Sequence, residues 1–137
     1  MLVIASLAWP LLLGGAVVAR ARQPASGWTG IVYAACARVC HQRPLRSFHT
    51  AGVQWPVCAR CSGLYLAAGA GALAAWYRRR PAVTSARRLV AFAAVPTALT
   101  LVLEWTDLAP MTNVLRFVSA LPLGAAIAFV LVNAAGE

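Results

Sequence analysis

The stretch CSGLYLAAGAGALAAWY, residues 61–77, holds no charged residue and stops at Arg78-Arg79-Arg80-Pro81. A helix of about 20 residues, rising roughly 1.5 Å per residue, crosses a hydrocarbon core of about 30 Å. This run, with its lead-in from Val57, therefore reads as a membrane span. Gly63, Ala67 and Gly71 recur every four positions along it, which lets another helix approach closely. Outward from it, residues 1–19 and 117–136 are equally free of charge. Spans are expected at about 2–19, 57–77, 88–106 and 114–133, with Pro10, the Gly14-Gly15 pair and Pro96 tolerated as they are in membrane helices. Asn113 reads as the N-cap of the last. Short connections make this an all-α integral membrane protein. It is a single domain, 1–137, of four transmembrane helices in an antiparallel bundle with a polar Cys/His-rich loop, 20–56, between the first two.

Composition excludes an ordinary soluble domain: 61% of residues are apolar, 11% are charged, and mean hydropathy is +0.73. All 12 basic residues are arginine, set against Glu104, Asp107 and Glu137, for a net charge of +9. In a soluble domain that balance would suggest nucleic acid. Here the arginines lie between apolar runs, as topology signals and headgroup contacts do, so the expected partner is the lipid bilayer and not nucleic acid.

Arg20, Arg22, Arg38, Arg43 and Arg46 lie in the first loop, and Arg78, Arg79, Arg80, Arg87 and Arg88 in the second. The second is short and its charges flank both spans, so it reads as cytoplasmic. The cell-membrane protein then keeps both termini inside and its cysteine loop outside. Ala19-Arg20-Ala21 resembles a signal-cleavage site, but no basic residue precedes the apolar run, which favours a retained span. Within the polar loop, residues 28–37 fit a short interfacial helix, Arg43-Pro44 breaks any helix, and Gln54-Trp55-Pro56 leads into the second span.

All four cysteines and both histidines fall between Cys36 and Cys61. One buried cysteine is an ordinary small hydrophobe; six soft donors in so short a segment point to chemistry. Cys58 and Cys61 are expected on one face of the first turn of the second span, where unpaired N–H groups, the helix dipole and Arg60 favour thiolate. Thiolate binds metal or attacks a disulfide. A tetrahedral zinc site wants four N/S donors. Cys40, His41, Cys58 and Cys61 are the expected ligands, with Cys36 and His49 as substitutes because the adjacent Cys40 and His41 share an ion only from an extended backbone. Arg46, Ser47 and Arg60 are expected to buttress the loop behind the ligands.

The run Cys40-His41-Gln42-x-Pro44-x-Arg46-Ser47-Phe48, then Gly52, then Pro56-Val57-Cys58-Ala59-Arg60-Cys61-Ser62-Gly63-Leu64-Tyr65, resembles the signature of a family of small prokaryotic membrane proteins known as domain of unknown function 2085. Asn113-x-x-Arg116 resembles a further family feature at the head of the last span. The resemblance implies a multi-span membrane protein with no established activity. It also implies that some members carry Asp in place of Cys61, and an Asp can replace Cys on zinc but not in a disulfide. Cys36 lies outside the pattern.

The competing class is a membrane thiol–disulfide oxidoreductase using Cys58 and Cys61. In it the chain resembles quinone-linked disulfide-generating proteins, with quinone in place of zinc, but Cys36 and Cys40 share one loop where those proteins use two. Cys36-x3-Cys40-His41 as a widened haem-attachment sequence is a third reading. No hydrolase triad or phosphate-binding glycine loop is apparent. Glu104 and Asp107 are expected to meet Arg116, as an ion pair pinning the last two spans or as an intramembrane relay. Glu104 and Arg116 are thus the catalytic candidates should a metal keep a position open. Arg46 and Arg60 are further partners for Glu104.

Overall fold

The computed structural model describes residues 1–24, 26–77 and 83–136. The chain is mostly helical: α1 (Leu2–Arg22), α2 (Gly27–Ala37), α3 (Ala59–Tyr77), α4 (Val83–Trp105) and α5 (Asn113–Ala135). A 3-10 turn, Pro44–Arg46, leads into a two-stranded antiparallel hairpin of β1 (Ser47–Thr50) and β2 (Val53–Cys58). The expected run 78–80 lies outside the described residues.

Among the described residues three helices are long and apolar enough to cross a membrane: α1, residues Ser85–Trp105 of α4, and α5. Their outer faces carry exposed Leu11, Phe92, Leu99 and Leu131, the surface a bilayer solvates. The expected span at 57–77 is not among the three. Its helix is only Ala59–Tyr77, and its many alanines and glycines carry little apolar surface.

Small residues set the packing of α3 on α5. A Cβ on Gly63 would strike the Phe117 carbonyl, one on Gly71 the Ala125 backbone, and one on Gly124 the Leu64 backbone. The two backbones therefore touch where side chains would hold them apart. α4 joins α5 through hydroxyls: Thr97 donates to the Ser119 carbonyl at 2.8 Å, and Thr100 and Ser119 pair at 3.1 Å. Their partners are internal, as a helix facing lipid requires.

Three local expectations are corrected. The 20–56 segment is not an irregular loop, because besides α2 it contains the hairpin. Ala51 (φ 50°) and Gly52 (φ 77°) form a two-residue turn with both residues left-handed, the geometry that matches strand twist. Its register shifts between Ser47 and His49, opposite a stretch containing Pro56, which has no N–H for the ladder. Second, Cys58 ends β2, so it is not in the first turn of a helix with Cys61. Third, the N-cap of α5 is Thr112, whose hydroxyl accepts from the Leu115 N–H at 3.2 Å; Asn113 is the first helical residue, and its side chain is free to reach the hairpin.

Candidate metal centre

A chain of amide contacts seats the segment after α2 on the hairpin. Gln42, at φ 47°, sends its Nε2 to the Tyr33 carbonyl (2.8 Å) and the Pro56 carbonyl (2.7 Å). Gln54 Nε2 returns a bond to the Gln42 carbonyl at 2.5 Å, and the Tyr33 hydroxyl donates to the Gln54 carbonyl at 2.6 Å. The Pro56 carbonyl lies in the stretch where the register shifts, and Gln42 gives it a partner. Beneath lies an apolar base of Leu13, Ala16, Val32, Cys36 and Val57, with Trp9 edge-on to Tyr65.

This clamp brings Cys40 to Cys58. The Cys58 N–H donates to the Cys40 sulfur at 3.2 Å, and the Cys40, Cys58 and Cys61 sulfurs all lie within 4.8 Å of one another. Three soft donors thus converge from the turn after α2, the end of β2 and the first turn of α3. The hydrogen bond that the Cys58 sulfur takes from the Cys61 thiol lowers the Cys58 pKa to about 5; burial opposes that shift, and the Cys61 and Arg60 N–H groups and Cys40 support it. These contacts favour the Cys58 thiolate, the form that binds metal. Sulfurs about 2.3 Å from a tetrahedral zinc stand roughly 3.8 Å apart, a spacing the trio reaches by small rotations. The cluster can hold a metal ion.

The other sequence candidates are distributed around this trio. His41 is exposed and lies outside the sulfur group, but it lines the cavity of about 440 Å³ that the three cysteines also line. Cys36 is wholly buried below Cys40 and accepts the Cys40 N–H at its carbonyl; burial pushes its thiol pKa up, with Cys40 adding to the rise. It is packing. His49 is exposed on β1 opposite Gln54. Ser47 is buried; its hydroxyl donates to the Arg43 carbonyl at 2.9 Å, and its own carbonyl accepts from Asn113 Nδ2 at 3.1 Å.

Glu104 joins the site to the helices. Its Oε1 meets Arg46 at 3.0 Å and Arg116 at 2.9 Å, and its Oε2 meets Arg60 at 3.3 Å, with the carboxylate side chain only 8% exposed. Arg46 and Arg60 thus reach from the cysteine-bearing segment and the head of α3 to α4. Both carboxylate oxygens already accept from guanidinium groups, which makes Glu104 an anchor and a poor proton acceptor for a reaction. Asp107 does not join them: it is exposed in the turn after α4, at φ 53°. The residues that sequence reasoning passed over are Gln42 and Gln54. Gln42 stood inside the recognisable motif, but nothing in its spacing announced an amide clamp.

Two comparisons bear on this architecture. A family described as "Predicted membrane protein (DUF2085)" matches residues 40–130, from the first converging cysteine into α5. An uncharacterized protein of Methanothermobacter thermautotrophicus is 32% identical over 90 residues, which are 66% of this chain and 81% of that one. No solved structure matches.

Proposed function

The chain belongs to the DUF2085 family of predicted membrane proteins, and from that premise we propose that it is a zinc-binding multi-pass membrane protein. Cys40, Cys58 and Cys61 are the sulfur ligands, and His41, turned in from the cavity rim, supplies the fourth donor. The observation that carries this reading is the meeting of three sulfurs from the turn after α2, from β2 and from α3. A metal there would staple the end of α2, the hairpin and α3, adding to the fold what the loop's sparse apolar surface does not. In the same reading α3 is a fourth span, antiparallel to α1 and parallel to α5, and these two neighbours screen its small-residue faces from lipid. The arginine-rich 78–88 segment lies in the cytoplasm and the cysteines face outward.

The test is elemental mass spectrometry of detergent-purified protein beside a free-thiol count. The expected result is about one zinc per chain, lost in Cys58→Ser, retained in part in Cys61→Asp, and weakened in His41→Ala. Absence of metal with thiols oxidised in pairs would overturn the reading. Labelling of the metal-free protein in intact cells with a membrane-impermeant maleimide reads the side on which the cysteines lie.

One observation favours a second reading, a thiol–disulfide oxidoreductase: the Cys58 and Cys61 sulfurs lie within 4.8 Å of each other with both cysteines unpaired, as an attacking and a resolving cysteine would. In that case Cys61→Asp abolishes turnover of a disulfide substrate, and bound quinone accompanies the purified protein.

A further inference from the structure

The cavity beside the sulfurs has a charge balance that the metal reading does not use. Arg43, Arg46, Arg60 and Arg116 all line it, and they come from the 3-10 turn and its lead-in, α3 and α5. Their one acidic partner among the described residues is Glu104, which takes a single Nη2 from each of three of them. Arg60 and Arg116 are 14% and 11% exposed at the side chain, and each keeps a buried Nε–H with no acceptor among the described residues. Arg43 is exposed and has no acidic partner there. A divalent ion on three thiolates would bring only one net negative charge to this balance. Guanidinium remains in excess with the ion or without it, where leaving cations unpaired is costly.

Guanidinium forks hold planar or tetrahedral oxyanions by parallel charged hydrogen bonds, and a cluster of them is the usual chemistry of phosphate recognition. The cavity volume of about 440 Å³ admits a phosphate group with room to spare. Its position at the ends of α4 and α5 also gives it access to the bilayer surface.

We propose that this cavity is a phosphate-binding site, with Arg43 and Arg46 at its open side, Arg60 and Arg116 at its floor, and the anion seated beside the three sulfurs. The phosphate is that of a free small anion or of an anionic lipid headgroup. The site rests on the arginines and goes beyond the zinc reading, since no cysteine is required to hold the anion.

The experiment uses full-length protein purified in detergent without phosphate. In one arm inorganic phosphate is titrated by calorimetry. In the other, protein reconstituted with phosphatidylglycerol or with phosphatidylcholine is examined by native mass spectrometry for retained lipid. Saturable binding of phosphate identifies a free anion, and retention of about one phosphatidylglycerol per chain over phosphatidylcholine identifies a headgroup; either supports the site. Arg43→Gln, which breaks no ion pair, is expected to weaken the observed binding about tenfold while zinc content stays unchanged. Arg46→Gln should weaken anion binding as well, and Cys58→Ser should lose zinc but still bind the anion. The proposal is overturned if wild-type protein binds neither ligand, or if both arginine variants bind as tightly as wild type.

Discussion

The seam between α3 and α5 and the cysteine-bearing cap above it are held by opposite kinds of contact. In the seam, glycines at 63, 71 and 124 remove side chains so that backbones meet, and nothing but shape holds the register. In the cap, side chains do the work: two glutamine amides, a tyrosine hydroxyl and a serine fasten residues 33–58 to one another. Shape is a sound adhesive where lipid surrounds the helices and hydrophobic burial offers little. Hydrogen bonds suit a short polar segment that must still fix sulfur positions to within an ångström or so. The difference teaches that the two regions fail differently, and that Glu104, with Arg46 on one side and Arg60 and Arg116 on the other, is where one failure becomes the other.

The largest effect is expected at that joint. Glu104→Gln leaves three guanidinium groups without their carboxylate and should cost about 4 kcal/mol, lowering the thermal midpoint in detergent and releasing metal together. Separate transitions for helix content and metal release would show the two regions to be independent. Gly71→Val drives a side chain into the Ala125 backbone and should cost about 3 kcal/mol, measured by the same melt, with the cap lost only because its platform is lost.

Gln42→Ala sharpens the contrast from the other side. It removes the bonds to the Tyr33 and Pro56 carbonyls, a loss of about 2 kcal/mol that should appear as weaker metal retention and faster exchange of the Cys58 amide, with the helices melting as before. A fall in the helical midpoint equal to that of Gly71→Val would erase the distinction. Thr97→Val is the smallest: an interhelical bond worth about 0.6 kcal/mol, detectable as a shift of the melt without change in metal content.

The long uncharged runs made α1, α4 and α5 legible in the sequence to within a few residues, because a membrane helix must be apolar over its whole length. The ion-pair joint was legible for a different reason: with so few acids in the chain, Glu104 had to serve Arg46, Arg60 and Arg116. The same reasoning failed for Asp107, which the positive-φ turn after α4 directs into solvent. The hairpin was not legible. Its turn is Ala51-Gly52 in place of Asn-Gly, Pro56 interrupts the second strand, and neither strand alternates cleanly, so no period of two stands out. Missing it displaced Cys58 from strand to helix, yet the trio of Cys40, Cys58 and Cys61 survived that error. A strand end followed directly by a helix start brings two cysteines three apart as close as one helical turn does. What stayed hidden was the amide clamp, since glutamines declare their partners only once the chain is folded.

The Asn113 bond to the Ser47 carbonyl sets an order of events during synthesis. The cap is complete as sequence by residue 61, but its serine awaits an asparagine 66 positions later, and Arg46 and Arg60 await Glu104. A ribosome that has delivered only the first half of the chain has therefore delivered an unfinished cap. The cysteine cap thus gains its last contacts, to Glu104 and Asn113, only once α4 and the head of α5 have been made.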